Sequence, residues 1–112
     1  MKITSTTYSA GPAGSTLVQS NVEGTVTAGF GTAAGTGTFV GGKSGTFSYC
    51  GMTYMENGEL LGAGGQGSYE SVGAHSWATS MVLHLSDGRA MLSEGRIDLA
   101  GRSWDGTVYE WT

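Results

Sequence analysis

The chain has 112 residues, of which 21 are glycine, one is proline and one is cysteine, and its formal net charge is −4 with only 12% charged residues. A hydrophobic share of 38% beside so small a net charge excludes a disordered chain, the single proline excludes a collagen-like one, and the unpaired Cys50 excludes a scaffold of internal disulfides. The five basic residues, Lys2, Lys43, Arg89, Arg96 and Arg102, form no run, so no nucleic-acid partner is expected.

Met1 to Gly14 holds one lysine and no apolar stretch, unlike a signal peptide. No window approaches the roughly 18 apolar residues of a membrane span. A cytoplasmic protein with a reduced Cys50 and no membrane contact is expected. No dozen residues show the i, i+3, i+4, i+7 apolar spacing of a surface helix. Instead Thr, Val, Tyr, Phe and Trp are punctuated by glycine pairs and Asx-Gly turns. In chain order the predicted strands start with Ile3–Ser9 and Val22–Phe30, with Gly11–Ser20 between them either a loop or a short extra strand. Thr36–Val40 and Lys43–Cys50 flank Gly41-Gly42. Ser48–Glu56 meets Glu59–Tyr69 at Asn57-Gly58. Trp77–Ser86 and Arg89–Ala100 flank Asp87-Gly88, and Ser103–Trp111 follows Ala100-Gly101-Arg102. Asx-Gly pairs favour the two-residue type I′ turn, whose central residues both need φ > 0. With no linker, residues 1–112 read as one domain.

About eight sequential strands predict an all-β, eight-stranded antiparallel up-and-down barrel of calycin-like type, since closure removes exposed edges. A two-sheet sandwich is the second choice and would need longer crossing loops. Such a barrel is wide enough to be filled or to hold one small ligand.

With Asp87-Gly88 as a two-residue turn, Leu85 faces Ala90, Leu83 faces Leu92, Met81 faces Glu94, Thr79 faces Arg96 and Trp77 faces Asp98. An even-length turn after Leu99 adds Ser103, Asp105, Thr107, Tyr109 and Trp111 to that face. It is apolar at one end (Leu83, Leu85, Leu92, Tyr109, Trp111) and mostly charged at the other (Glu94, Arg96, Asp98, Asp105, with Trp77 and Thr79). The opposite face carries Ala78, Val82, His84, Met91, Ile97, Leu99, Trp104 and Val108. If the first face lines the barrel, the second is too apolar to stay bare and is buried in a homo-oligomer, a trimer or dimer. The inverted assignment makes the charged set the wet exterior. The joint need of Leu83, Leu92, Tyr109 and Trp111 for burial favours the first.

On that assignment the expected catalytic residues are Glu94 as general acid/base, Arg96 as holder of a substrate oxygen or charge, Asp98 and Asp105 orienting Arg96, and Tyr109 as a second proton donor. Trp77, Met81, Leu83, Leu85, Leu92 and Trp111 would shape a ligand pocket. The plain alternative is a surface ion pair such as Arg96 with Asp105, contributing about 0–1 kcal/mol. His75 and His84 lie at no metal-binding spacing, so no metal is expected. No G-x-S-x-G occurs. Cys50 reads as a small buried strand residue rather than a nucleophile. The glycines of Gly29-Phe30-Gly31 and Gly35-Thr36-Gly37 are followed by the strand residues Thr38–Val40, not by a helix, which argues against a nucleotide site.

The stretch from Gly35 through Phe39, Gly41-Gly42 and Phe47, followed by Gly62 to Tyr69, resembles the glycine-punctuated hairpins of allene-oxide-cyclase-like and dirigent-like barrels. That resemblance covers about a third of the chain and implies an eight-stranded barrel, often trimeric, holding a hydrophobic small molecule without a cofactor. It carries over no functional residue, since none of those families' catalytic positions is matched here. The expected function is that of a cofactor-free isomerase, cyclase or lyase of small hydrophobic metabolites. The alternative is a non-catalytic barrel that binds a small lipophile, and a third reading is a structural oligomer with a filled barrel.

Overall fold

The computed structural model describes residues 1–26 and 31–110. The strands are β1 (Lys2–Ala10), β2 (Thr16–Val26), β3 (Gly31–Val40), β4 (Ser44–Tyr54), β5 (Leu60–Gly73), β6 (Ser76–Leu85), β7 (Ala90–Asp98) and β8 (Ser103–Glu110), with one 3-10 turn at Pro12–Gly14. They form a closed antiparallel barrel in sequential order, as the hairpin pattern predicts. Among the described residues no helix is long and apolar enough to cross a membrane. The open choice at Gly11–Ser20 resolves into a tight turn followed by the first residues of β2. The last four residues of the predicted strand Val22–Phe30 lie outside the described residues, as do Gly29 and Phe30 of the glycine runs and Trp111.

The two Asx-Gly turns differ from the expected geometry in the same way. Leu85 donates its N–H to Arg89 O at 2.9 Å, Gly88 donates to Leu85 O at 3.0 Å, and Gly88 has φ +94°. Met55 donates to Glu59 O at 2.9 Å, Gly58 donates to Met55 O at 2.9 Å, and Gly58 has φ +89°. Asp87 and Asn57 are absent from the positive-φ residues, whereas a type I′ turn would place both loop residues there. Each loop therefore has three residues, a type I turn closed by a left-handed glycine. The Asx side chain caps it, Asp87 Oδ1 accepting from Arg89 N–H at 3.0 Å and Asn57 Oδ1 from Glu59 N–H at 2.9 Å. These contacts with Arg89, the backbone bond first, hold the exposed Asp87 carboxyl below its ordinary pKa.

The extra loop residue shifts the β6–β7 register by one. Met81 faces Ser93, Thr79 faces Gly95, and Trp77 faces Ile97. Between β7 and β8 the four-residue turn keeps the predicted pairing, with Arg96 opposite Asp105 and Leu92 opposite Tyr109. A one-residue slip exchanges the faces of a strand. Thus Met81, Leu83, Ile97 and Trp104 are buried in the core, while Glu94 and Arg96 are exposed on the outer wall.

Rings fill the middle of the barrel. Trp104 is packed between Phe39 (centroids 5.6 Å), Phe47 (5.5 Å) and Tyr49 (6.1 Å), and Phe39 stacks on Phe47 at 4.9 Å. The indole Nε1 donates to Thr79 Oγ1 at 3.0 Å, so its one polar group is satisfied inside. A Cβ at Gly37 would lie 2.9 Å from both the Trp104 and the Phe39 ring, and one at Gly35 or Gly51 would lie 2.3 or 2.4 Å from the Tyr49 hydroxyl. Close approach of ring to backbone thus requires glycine at these strand positions. Burial, and then the neighbouring Cys50 thiol, push the Tyr49 hydroxyl above its ordinary pKa. Cys50 itself faces outward and is exposed, which corrects its expected burial: it alternates with the inward Tyr49 on β4.

The barrel closes through a short seam. β1 and β8 share a single ladder pair, Lys2 with Ser103. Ile3 N–H donates to Arg102 O and Trp104 N–H to Met1 O, both at 2.8 Å. The Met1 amino group donates to Trp104 O at 2.9 Å and pairs with Asp105 Oδ1 at 2.5 Å.

Candidate functional site

The up-and-down order brings the β1–β2, β3–β4, β5–β6 and β7–β8 connections to one end of the barrel, here called the upper end. A cavity of about 190 Å³ lies there, above the ring-filled middle. Phe39, Tyr69 and Trp104 line it from the aromatic core, Ile3, Val18 and Ile97 from the surrounding strands, and Tyr8, Trp77, Leu99 and the backbone of Gly41-Gly42 belong to its rim. Thr6 and Ser20 complete the wall.

Apart from the exposed Tyr8 hydroxyl at the rim, the side-chain polar groups of this lining are engaged. Trp77 Nε1 donates to Gly42 O at 3.0 Å, Tyr69 donates its hydroxyl to Val40 O, and the Thr6 and Ser20 hydroxyls share a hydrogen bond at 3.3 Å. The surface offered to a guest is therefore apolar. No carboxylate, lysine, arginine or histidine is among the described lining residues. Burial raises the Tyr69 hydroxyl above its ordinary pKa, so it stays a neutral donor at physiological pH.

The predicted site residues divide between two surfaces. Trp77 lines the cavity, whereas Met81 and Leu83 are buried in the packed core below it. Leu85 sits half-buried on β6, opposite Ala63. Glu94 and Arg96 lie on the outer wall, because the three-residue turn at Ser86-Asp87-Gly88 reverses the face assigned to β7. Leu92 and Tyr109 pair with one another on that same outer face, Tyr109 being 52% exposed. Asp98 caps the next turn, accepting Ala100 N–H at 3.1 Å, and Asp105 is held by Met1. Among the described residues Arg96 forms no ion pair with Asp105, although the two face each other on the ladder. Glu94 and Glu70 instead border a wide, open trough of about 480 Å³ on the outer wall, with Ser44, Ser68 and Ser80.

The face expected to be covered by a second subunit is also split. Ile97 and Trp104 are buried, Ala78 and Val82 are half-buried, and His84 is exposed. Tyr8, Val18, Phe39, Leu99 and Trp104 line the cavity without having been expected from the sequence. One available signal was the concentration of Glu94, Arg96 and Asp98 on one face of β7, opposite the charge-free Met91, Ser93, Gly95 and Ile97.

Among the described residues no group of three or more His, Cys, Asp or Glu side chains is placed to hold a metal ion. No family model, no curated protein and no solved structure matches the chain, and the likeness of its glycine-rich hairpins to allene-oxide-cyclase-like and dirigent-like barrels rests on those sequence stretches alone.

Proposed function

We propose that the barrel is a binding module for a small apolar molecule seated in its upper end. The observation that carries this reading is the cavity itself, mainly apolar in lining, with the polar groups of Trp77, Tyr69, Thr6 and Ser20 already bonded. Its volume of about 190 Å³ compares with the roughly 150 Å³ apolar cavity that admits benzene. One ring with a short arm is the matching size. Burying about 150 Å² of ring surface at roughly 25 cal/mol per Å² contributes about 4 kcal/mol before the cost of immobilising the guest, so weak binding, with a Kd of about 1 mM or above, is expected.

Acid/base chemistry on the bound molecule has less support. General catalysis needs the acid or base within hydrogen-bond reach of the reacting atom, and Glu94 lies on the other side of the wall. Binding is tested by titrating the protein with 3-phenylpropan-1-ol, following heat and the fluorescence of Trp77 and Trp104. Saturable binding that Val18→Phe abolishes, with the thermal unfolding transition retained, supports the reading. Absence of binding to the unsubstituted protein, or binding that survives Val18→Phe unchanged, overturns it.

A further inference from the structure

The charges of the chain are distributed unevenly between the two ends of the barrel. At the upper end Lys43 follows the Gly41-Gly42 backbone that lines the cavity, and Arg102 closes the turn that begins at the lining residue Leu99. Arg96 reaches upward on the outer wall, its Nη2 lying 4.0 Å from the position a Cβ would take at Gly73. All three are exposed, and none forms an ion pair among the described residues. Two carboxylates share this end without pairing with these cations: Asp98 caps the same β7–β8 turn, accepting Ala100 N–H, and Glu70 stands on the outer wall opposite Ser44. At the lower end the connections carry Glu56, Glu59 and Asp87, and the one cation there, Arg89, pairs with Asp87 at 2.8 Å.

A guest in the cavity meets no charged lining residue among those described, and the Tyr8 hydroxyl lies at the rim, so any charged group the guest carries must stay there. At the rim Lys43 and Arg102 are exposed cations that form no ion pair among the described residues, and the nearby Asp98 carboxylate is engaged by the Ala100 N–H. Resting on the binding proposal, the geometry points to a small anionic amphiphile as the ligand class. A one-ring apolar body fills the cavity, and a carboxylate on a short arm remains in solvent beside the turns bearing Lys43 and Arg102. Two exposed cations at such a rim favour an anion modestly and in a salt-dependent way.

The test compares three probes with one body: 3-phenylpropanoate, 3-phenylpropan-1-ol and 3-phenylpropylamine, each titrated calorimetrically at low salt and at high salt. The expected order is acid, alcohol, amine, with the acid about fivefold tighter than the alcohol at low salt and the gap nearly closed at high salt. The double variant Lys43→Gln, Arg102→Gln is expected to remove the acid's advantage while leaving the alcohol's affinity unchanged. Equal affinity for acid and alcohol, or an advantage that survives the double variant, overturns the inference but leaves the binding proposal standing. Failure of all three probes to bind overturns the binding proposal itself.

Discussion

In the middle of the barrel Trp104 reaches across the lumen, lies against Gly37 and is flanked by Phe39, Phe47 and Tyr49. At the upper end the aromatic side chains are no smaller, yet space remains between them. The two regions differ in what holds the rings. Trp77 is tied by its Nε1 to the carbonyl of Gly42, and Tyr69 by its hydroxyl to the carbonyl of Val40, so both polar tips are anchored at the β3–β4 rim. Trp104 spends its Nε1 on Thr79, inside, and fills the centre. A polar tip that finds its partner on the wall leaves room for a guest; one that finds it inside does not.

The largest expected effect comes from disturbing the packed region. A Cβ at Gly67 would lie 2.0 Å from Ser80 O and 2.8 Å from Met81 Cα, both backbone atoms that cannot swing away. Gly67→Ala is expected to lower stability by about 3 kcal/mol or more in urea unfolding, at or beyond the usual cost of overpacking. Gly64→Ala, on the outward side of the same strand, meets only Tyr49 O at 3.9 Å and is expected to change stability by less than about 0.5 kcal/mol. Equal losses at both positions would refute the account of close backbone approach between β5 and β6 at Gly67.

A smaller effect follows from the buried phenols. The folded chain keeps the Tyr49 proton to higher pH than the unfolded chain, whose tyrosines titrate near the ordinary value of 10.0. Its contribution is therefore intact below about pH 10 and is lost as pH rises through the raised folded-state value. Denaturation midpoints measured from pH 8 to 11 are expected to fall only in the upper part of that range. Tyr49→Phe should make the fall shallower without abolishing it, because burial shifts Tyr69 in the same sense.

The smallest effect is expected on the outer wall. Glu94→Gln together with Arg96→Met should change stability by less than about 0.5 kcal/mol and leave 3-phenylpropan-1-ol affinity unaltered, since among the described residues neither side chain has an ion-pair partner and neither lines the cavity. A marked loss of affinity in that double variant would move the binding site from the mouth to the wall.

The barrel itself was legible because each strand pairs with its neighbour in sequence, and glycine pairs and Asx-Gly steps mark most of the connections. Pairing of β7 with β8 was legible too, since the turn after Asp98 has an even number of residues. The β6–β7 register was not. An Asx-Gly pair suits a two-residue loop and, equally, the last two positions of a three-residue loop, and local residue preference does not separate them. That single residue carried Glu94 and Arg96 outward and Trp104 inward. The cavity was illegible for a different reason: it depends on Trp77 meeting Gly42, 35 positions away in the chain, and no local pattern reports such a contact.

The fit of rings against bare backbone has a consequence for how this molecule can change. Where a large ring lies against a residue with no side chain, capacity inside the wall can move between the two positions while the number of strands stays at eight. A smaller residue at Trp104 would extend the cavity downward, and a methyl group opposite, at Gly37, would then have somewhere to go. Single substitutions in either direction are costly, but coupled ones trace a gradual path, so a lineage of such barrels can retune the size of its guest two positions at a time.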